Sequence, residues 1–103
     1  MLREILDAAG VLYPKTRFPK LPDRTCVIPM DDVTAEGADL KNFIYHHDVT
    51  LEVYSPKPDP EAEAAIEAQL NARGIAFTKQ SRYWLESEKR YQTVYEFSYT
   101  EKI

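Results

Sequence analysis

Residues 50–63 read Thr-Leu-Glu-Val-Tyr-Ser-Pro-Lys-Pro-Asp-Pro-Glu-Ala-Glu, and few folds accept that order. Alternating side chains up to Tyr54 predict a strand. Ser55, Pro56, Lys57 and Pro58 stop it, because proline fixes φ and donates no ladder hydrogen bond. Asp59 then stands at an N-cap position and Pro60 at the first helical position, where a missing N–H costs nothing. Glu61 and Glu63 fall in the first turn, where the helix dipole favours acid. A strand, a stiff corner and a helix must follow one another, and none of these residues brings chemistry of its own.

The rest of the chain builds around that corner. Leu2, Ile5, Leu6 and Ala9 fall on one helical face, with Gly10 placed to end the helix. Pro14, Pro19 and Pro22 make the segment up to residue 23 an extended connector. Residues 24–30 read as a short strand, and Pro29 places it at an edge or brings it to an early end. Residues 31–39 are acidic, contain Gly37 and read as a loop. In the strand leading to the corner, Phe43, Tyr45, His47, Val49, Leu51 and Val53 form the better core face. In the following helix Ala62, Ala65, Ile66 and Leu70 make a narrow apolar stripe, closed by Arg73 and Gly74. Residues 76–85 and 90–100 predict two strands joined by a Glu-Ser-Glu-Lys turn. Tyr91, Thr93, Tyr95, Phe97 and Tyr99 share one face of the last strand. The order helix, strand, strand, helix, strand, strand predicts an α+β fold. It is a single domain over residues 1–103, with a mainly antiparallel four-stranded sheet and both helices on one face.

Charge is uneven. Residues 1–30 hold five basic and three acidic side chains, residues 31–69 two and ten, and residues 70–103 six and four, for a net charge of −4. An acidic waist between mildly basic ends does not favour tight phosphate binding. It does suit head-to-tail packing of identical subunits, although a solvated acidic helix is the plainer account. Cys26 is the one cysteine, so neither an intrachain disulfide nor a thiolate cluster is expected. No signal peptide or membrane-spanning run is expected either, which implies a cytoplasmic protein with no membrane partner.

Chemistry-bearing groups are sparse. His46 and His47 lie side by side on a strand, so they point to opposite faces and cannot chelate one metal together. Asp31, Asp32, Glu36 and Asp39 lack the spacing of a calcium loop. No serine sits in a nucleophile elbow, and the three glycines are scattered, so no phosphate loop exists. Glu63 and Glu67, one helical turn apart, read as the solvated side of their helix. Lys79, Arg82, Lys89 and Arg90 interleave with Tyr83, Trp84 and Tyr91, an arrangement that also suits a stacking surface for single-stranded nucleic acid. A core-plus-interface hairpin is the stronger reading of those aromatics. No cofactor, metal or catalytic residue is expected, and the chain is not expected to be an enzyme.

Two blocks resemble a known family. The first is Val49-Thr-Leu-Glu-Val-Tyr-Ser55 with Asp59-Pro-Glu-Ala-Glu63 and Gly74-Ile75. The second is Tyr83-Trp-Leu-Glu-Ser-Glu-Lys89 with Tyr91-Gln92 and Tyr95-Glu-Phe97. Together they resemble small tail-terminator, or tail-completion, proteins of tailed bacteriophages and prophages. The resemblance covers a little over half of the chain; the first 40 residues match poorly. It implies a structural virion protein at the head–tail junction, made in the host cytoplasm. It also implies a homo-oligomeric ring, usually of six subunits, that caps the tail tube. The tail tube protein and a head connector or head completion protein would be its partners. DNA would pass through without sequence-specific binding. Tyr83, Trp84, Tyr91, Tyr99, Asp31, Asp32, Glu36 and Asp39 are the expected interface residues, chosen from composition. A ferredoxin-like binding module for a small ligand or a nucleic acid strand is the alternative.

Overall fold

The computed structural model of the protein describes residues 1–38 and 42–102. Helix α1 spans Leu2–Ala9 and buries Ile5 and Leu6 completely. Gly10 ends it at φ 72°, a left-handed conformation that costs glycine little. Strand β1 spans Cys26–Ala38 and β2 spans Asn42–Ser55. Helix α2 spans Pro60–Ala72, and three further strands follow: β3 at Phe77–Lys79, β4 at Tyr83–Leu85 and β5 at Arg90–Lys102. All pairings between named strands are antiparallel, and the main path through the sheet runs β1-β2-β5-β3, with β4 also on β5. The α+β architecture expected from the sequence is the one observed.

Both helices cover one face of the sheet. The core joins Ile5 and Leu6 of α1 and Ile66 and Leu70 of α2 to Val27, Val49, Leu51, Val53, Tyr95 and Phe97 beneath them. Directly opposed residues such as Val27↔Val53, Leu51↔Tyr95 and Val49↔Phe97 keep these side chains on one face. The alternation expected in β2 therefore holds from His47 to Val53; the side chain of Phe43 lies outside the described set. The corner also forms as expected. Asp59 Oδ1 accepts a hydrogen bond from the Ala62 N–H at 3.1 Å, with Pro60 at the first helical position. Asp59 Oδ2 accepts a second bond from Thr25 Oγ1 at 2.6 Å, which ties the helix start to the chain entering β1.

Two expectations need correction, and the alternative left open at Pro29 is decided. Residues 31–38 form strand, because each of them pairs with β2, from Asp31↔Val49 to Ala38↔Asn42. Ladder bonding outweighs their poor strand propensity. Asp39 lies outside the described residues. Pro29 marks an edge strand but does not end it. The Val27 N–H donates to Leu12 O at 2.8 Å, away from β2. Pro29, two residues on, lacks its N–H on that same outer side, where no ladder bond is lost.

The second correction concerns residues 76–85, which form two short strands rather than one. Lys79 pairs with Tyr95 but Tyr83 pairs with Gln92, so four steps on one side match three on the other. The extra residue is a bulge, and it changes which side chains face the helices. The turn that follows closes without Asn-Gly because Lys89 itself takes a positive φ of 53°.

Replacing Asp59 with Ala removes both bonds at the corner. The expected cost is about 1–2 kcal/mol, a fall in Tm of roughly 5–15 °C. Thermal unfolding followed by circular dichroism checks it, and an unchanged Tm would deny the corner its structural role.

Candidate functional site

The bulge between β3 and β4 lets Lys79 and Arg82, three residues apart, both reach α2. Lys79 Nζ lies 3.0 Å from Glu63 Oε1 and 2.8 Å from Glu67 Oε2, and Arg82 Nε lies 2.9 Å from Glu63 Oε2. Thr93 Oγ1 donates to Glu63 Oε2 at 3.1 Å, and the Tyr95 hydroxyl donates to Glu67 Oε2 at 2.6 Å. Glu63 is 5% exposed. Burial opposes its ionised form, but the bonds from Arg82, Lys79 and Thr93 outweigh that and hold the carboxyl below its usual range. Burial, and then the Glu67 carboxylate, raise the Tyr95 hydroxyl well above the usual range. The solvated helix side expected at Glu63 and Glu67 is instead an ion-pair network that clamps α2 to the sheet. No periodicity announces it, because the cationic partners come from a bulged strand.

A second cluster sits where the sheet leaves the helices behind. Beyond Val49, β1, β2 and β5 continue together to Ala38, Asn42 and Lys102. This three-stranded arm contributes to an elongated molecule of 50 × 29 × 21 Å. At its root His47 is buried, with ring Nδ1 2.9 Å from both oxygens of Asp31 and Nε2 3.2 Å from Glu101 Oε1. Its ring stacks on Tyr99 at 4.3 Å between centroids, 7° from parallel. Burial disfavours the charged imidazole, yet the bonds and charges of Asp31 and Glu101 prevail and raise its pKa. The two carboxylates approach opposite ring nitrogens, so they do not converge on one point. Among the described residues no three His, Cys, Asp or Glu side chains are grouped to hold a metal. On the other face His46 Nε2 bonds Glu36 Oε2 at 2.8 Å, so the two histidines do point apart.

The aromatic candidates do not form one surface. Trp84 is 43% exposed and meets Tyr91 edge-on at 5.0 Å, while its Nε1–H donates to Glu86 Oε2 at 2.7 Å. Tyr99 lies eight residues along β5 from Tyr91, roughly 27 Å away in an extended strand, inside the His47 cluster. Tyr83 is on the opposite face. Its hydroxyl donates to Gln92, whose amide donates in turn to the Tyr54 hydroxyl at 2.9 Å. Burial and then the Glu52 charge push Tyr54 up to about 12. Asp31, Asp32 and Glu36 all lie on β1 in the arm, as strand residues rather than loop residues; Asp31 serves His47, Glu36 serves His46, and Asp32 is exposed.

No protein-family model matches the chain, and no curated protein matches it. Among solved structures, it is similar to a chain in the virion of a native gene transfer agent particle. The TM-score is 0.61 at 18% identity, covering 96% of this chain and 84% of that one. At that identity the likeness establishes a shared fold.

Two measurements test the clusters. Replacing Glu63 with Ala leaves Lys79 and Arg82 facing a buried gap. It should cost about 2–3 kcal/mol, lowering Tm by roughly 10–20 °C; a loss below 0.5 kcal/mol would make the network incidental. For His47, a raised pKa in the folded state means that its contribution is complete below the ordinary value of 6.5 and fades as pH rises through the folded value. Melting curves at pH 5–9 should show a decline above neutrality in the wild type that His47→Gln lacks. Parallel curves for the two proteins would contradict the bridging role.

Proposed function

We propose that this chain is a structural protein of a phage-type virion, a tail terminator that closes into a ring at the head–tail junction, and that it is not an enzyme. The observation that carries the reading is the fold shared with a chain of the gene transfer agent virion over 96% of this sequence. The arm supports it. Three strands run past the helices with no core of their own, and residues 30–37 of β1 are exposed. Elongated sheets of this kind gain burial by meeting another subunit. A heterologous contact repeated around a rotation axis closes into a ring. A ring of such subunits caps the tail tube on one side and meets the head connector on the other.

The net charge of −4 fits passage of DNA through the ring without grip on its phosphates. The nucleic-acid-binding alternative loses ground on a specific point. Lys79 and Arg82, two of the four basic side chains it needs, are already paired with Glu63 and Glu67.

Imaging the purified chain with tail tubes assembled from the same virion's tube protein tests the proposal. The expected picture is a ring on one end of each tube. Bare tube ends with no ring in any field would overturn it.

A further inference from the structure

The arm is too exposed to be finished, and a groove beside its root has the complementary character. The groove, of about 340 Å³, lies between α1, the connector and β1. Tyr13, Phe18 and Ile28 supply apolar lining, and Arg3, Lys15 and Arg17 supply positive charge; Asp31, already bonded to His47, lines it as well. Among the described residues Arg3, Lys15 and Arg17 make no ion pair.

The arm offers the opposite charge with apolar contacts of its own. Val33 is 50% exposed and Ile44 37% exposed, both large hydrophobic side chains left in water. Asp32 and Glu36 share one face of β1, the face of His46, where Ile44 lies directly opposite Glu36, whereas Val33 lies opposite His47 on the other face; Lys102 is the one described Lys or Arg on the arm. The arm cannot fill its own groove, because Asp32 and Glu36 point to the opposite face of β1 from Pro29 and Asp31, which line it. Nor do two arms suit each other edge to edge, because Asp31, Asp32 and Glu36 would meet like charges.

We propose that the arm of one copy, through Asp32, Glu36 and Ile44, seats in the basic-rimmed groove of a second copy formed by Lys15, Arg17 and Phe18. The contact is head-to-tail, so it leaves a free arm at one end and a free groove at the other and propagates until a ring closes. It rests on the ring reading above and names the surfaces that make the ring.

The test mixes isotopically light and heavy copies of the full chain and links carboxylates to lysines with a zero-length carbodiimide. The expected product joins Lys15 of one isotopic form to Asp32 or Glu36 of the other. Lys15→Glu with Arg17→Glu should weaken self-association at least tenfold, and so should Asp32→Lys with Glu36→Lys. All four positions are exposed, so both variants should melt as the wild type does. Mixing the two reversed proteins should restore association between them. Light–heavy links confined to other surfaces, or reversed variants that assemble at wild-type strength, would overturn this contact and leave the ring reading standing. A chain that stays monomeric at every concentration, with tail tubes and without, would overturn both.

Discussion

The register between β2 and β5 is the constraint on which everything else in this molecule hangs. These two strands are central neighbours, paired from Ile44↔Lys102 to Ser55↔Tyr91. Their alternation places Val49, Leu51 and Val53 beside Phe97, Tyr95 and Thr93 on the face beneath the helices. A slip of one residue would turn Asp48, Thr50 and Glu52 into that core. No helix packing would compensate for burying those carboxylates unpaired. The helices are fixed relative to this ladder by two polar devices. Asp59 sets where α2 begins, and the Glu63–Lys79–Arg82 network sets how it lies. The network exists because one extra residue between β3 and β4 turns Arg82 toward the helix.

The same ladder produces the arm. Past Val49 the inward face changes from aliphatic to polar, and the start of α1 reaches it through a backbone bond from Leu2 to Tyr99. His47 takes the place of a core residue and is satisfied by a carboxylate on each neighbouring strand, Asp31 on β1 and Glu101 on β5. Stacking on Tyr99 covers one side of its ring. This arrangement holds three strands together without a hydrophobic layer, which lets the sheet reach outward and present a charged, partly apolar edge.

Much of this was legible in the sequence. The Pro-Lys-Pro-Asp-Pro corner, the glycine ends of both helices and the aromatic alternation of β5 each rest on local rules, and local rules can be read from neighbours. Gly10 and Gly74 both adopt the positive φ that a helix end asks for. What escaped depended on distant partners. Asp31, Asp32 and Glu36 have the composition of a loop and become strand only because β2 pairs with them. Glu63 looks solvated on a helical wheel and is buried because Arg82 arrives 19 residues later. The aromatic candidates share only their residue type, and the fold scatters them between two faces and two ends. Trp84 and Tyr91 remain together while Tyr83 and Tyr99 serve separate polar clusters.

The central claim is that this domain is one segment of a closed assembly. Native mass spectrometry of the purified chain across a concentration series, with sedimentation velocity in the same buffer, tests it most directly. The account predicts one dominant species at high concentration with a mass six times the 11.9 kDa of the chain, dissociating as salt is raised because the contacts are charged. A particle of 11.9 kDa at every concentration, or an open-ended ladder of masses with no closed species, would contradict it.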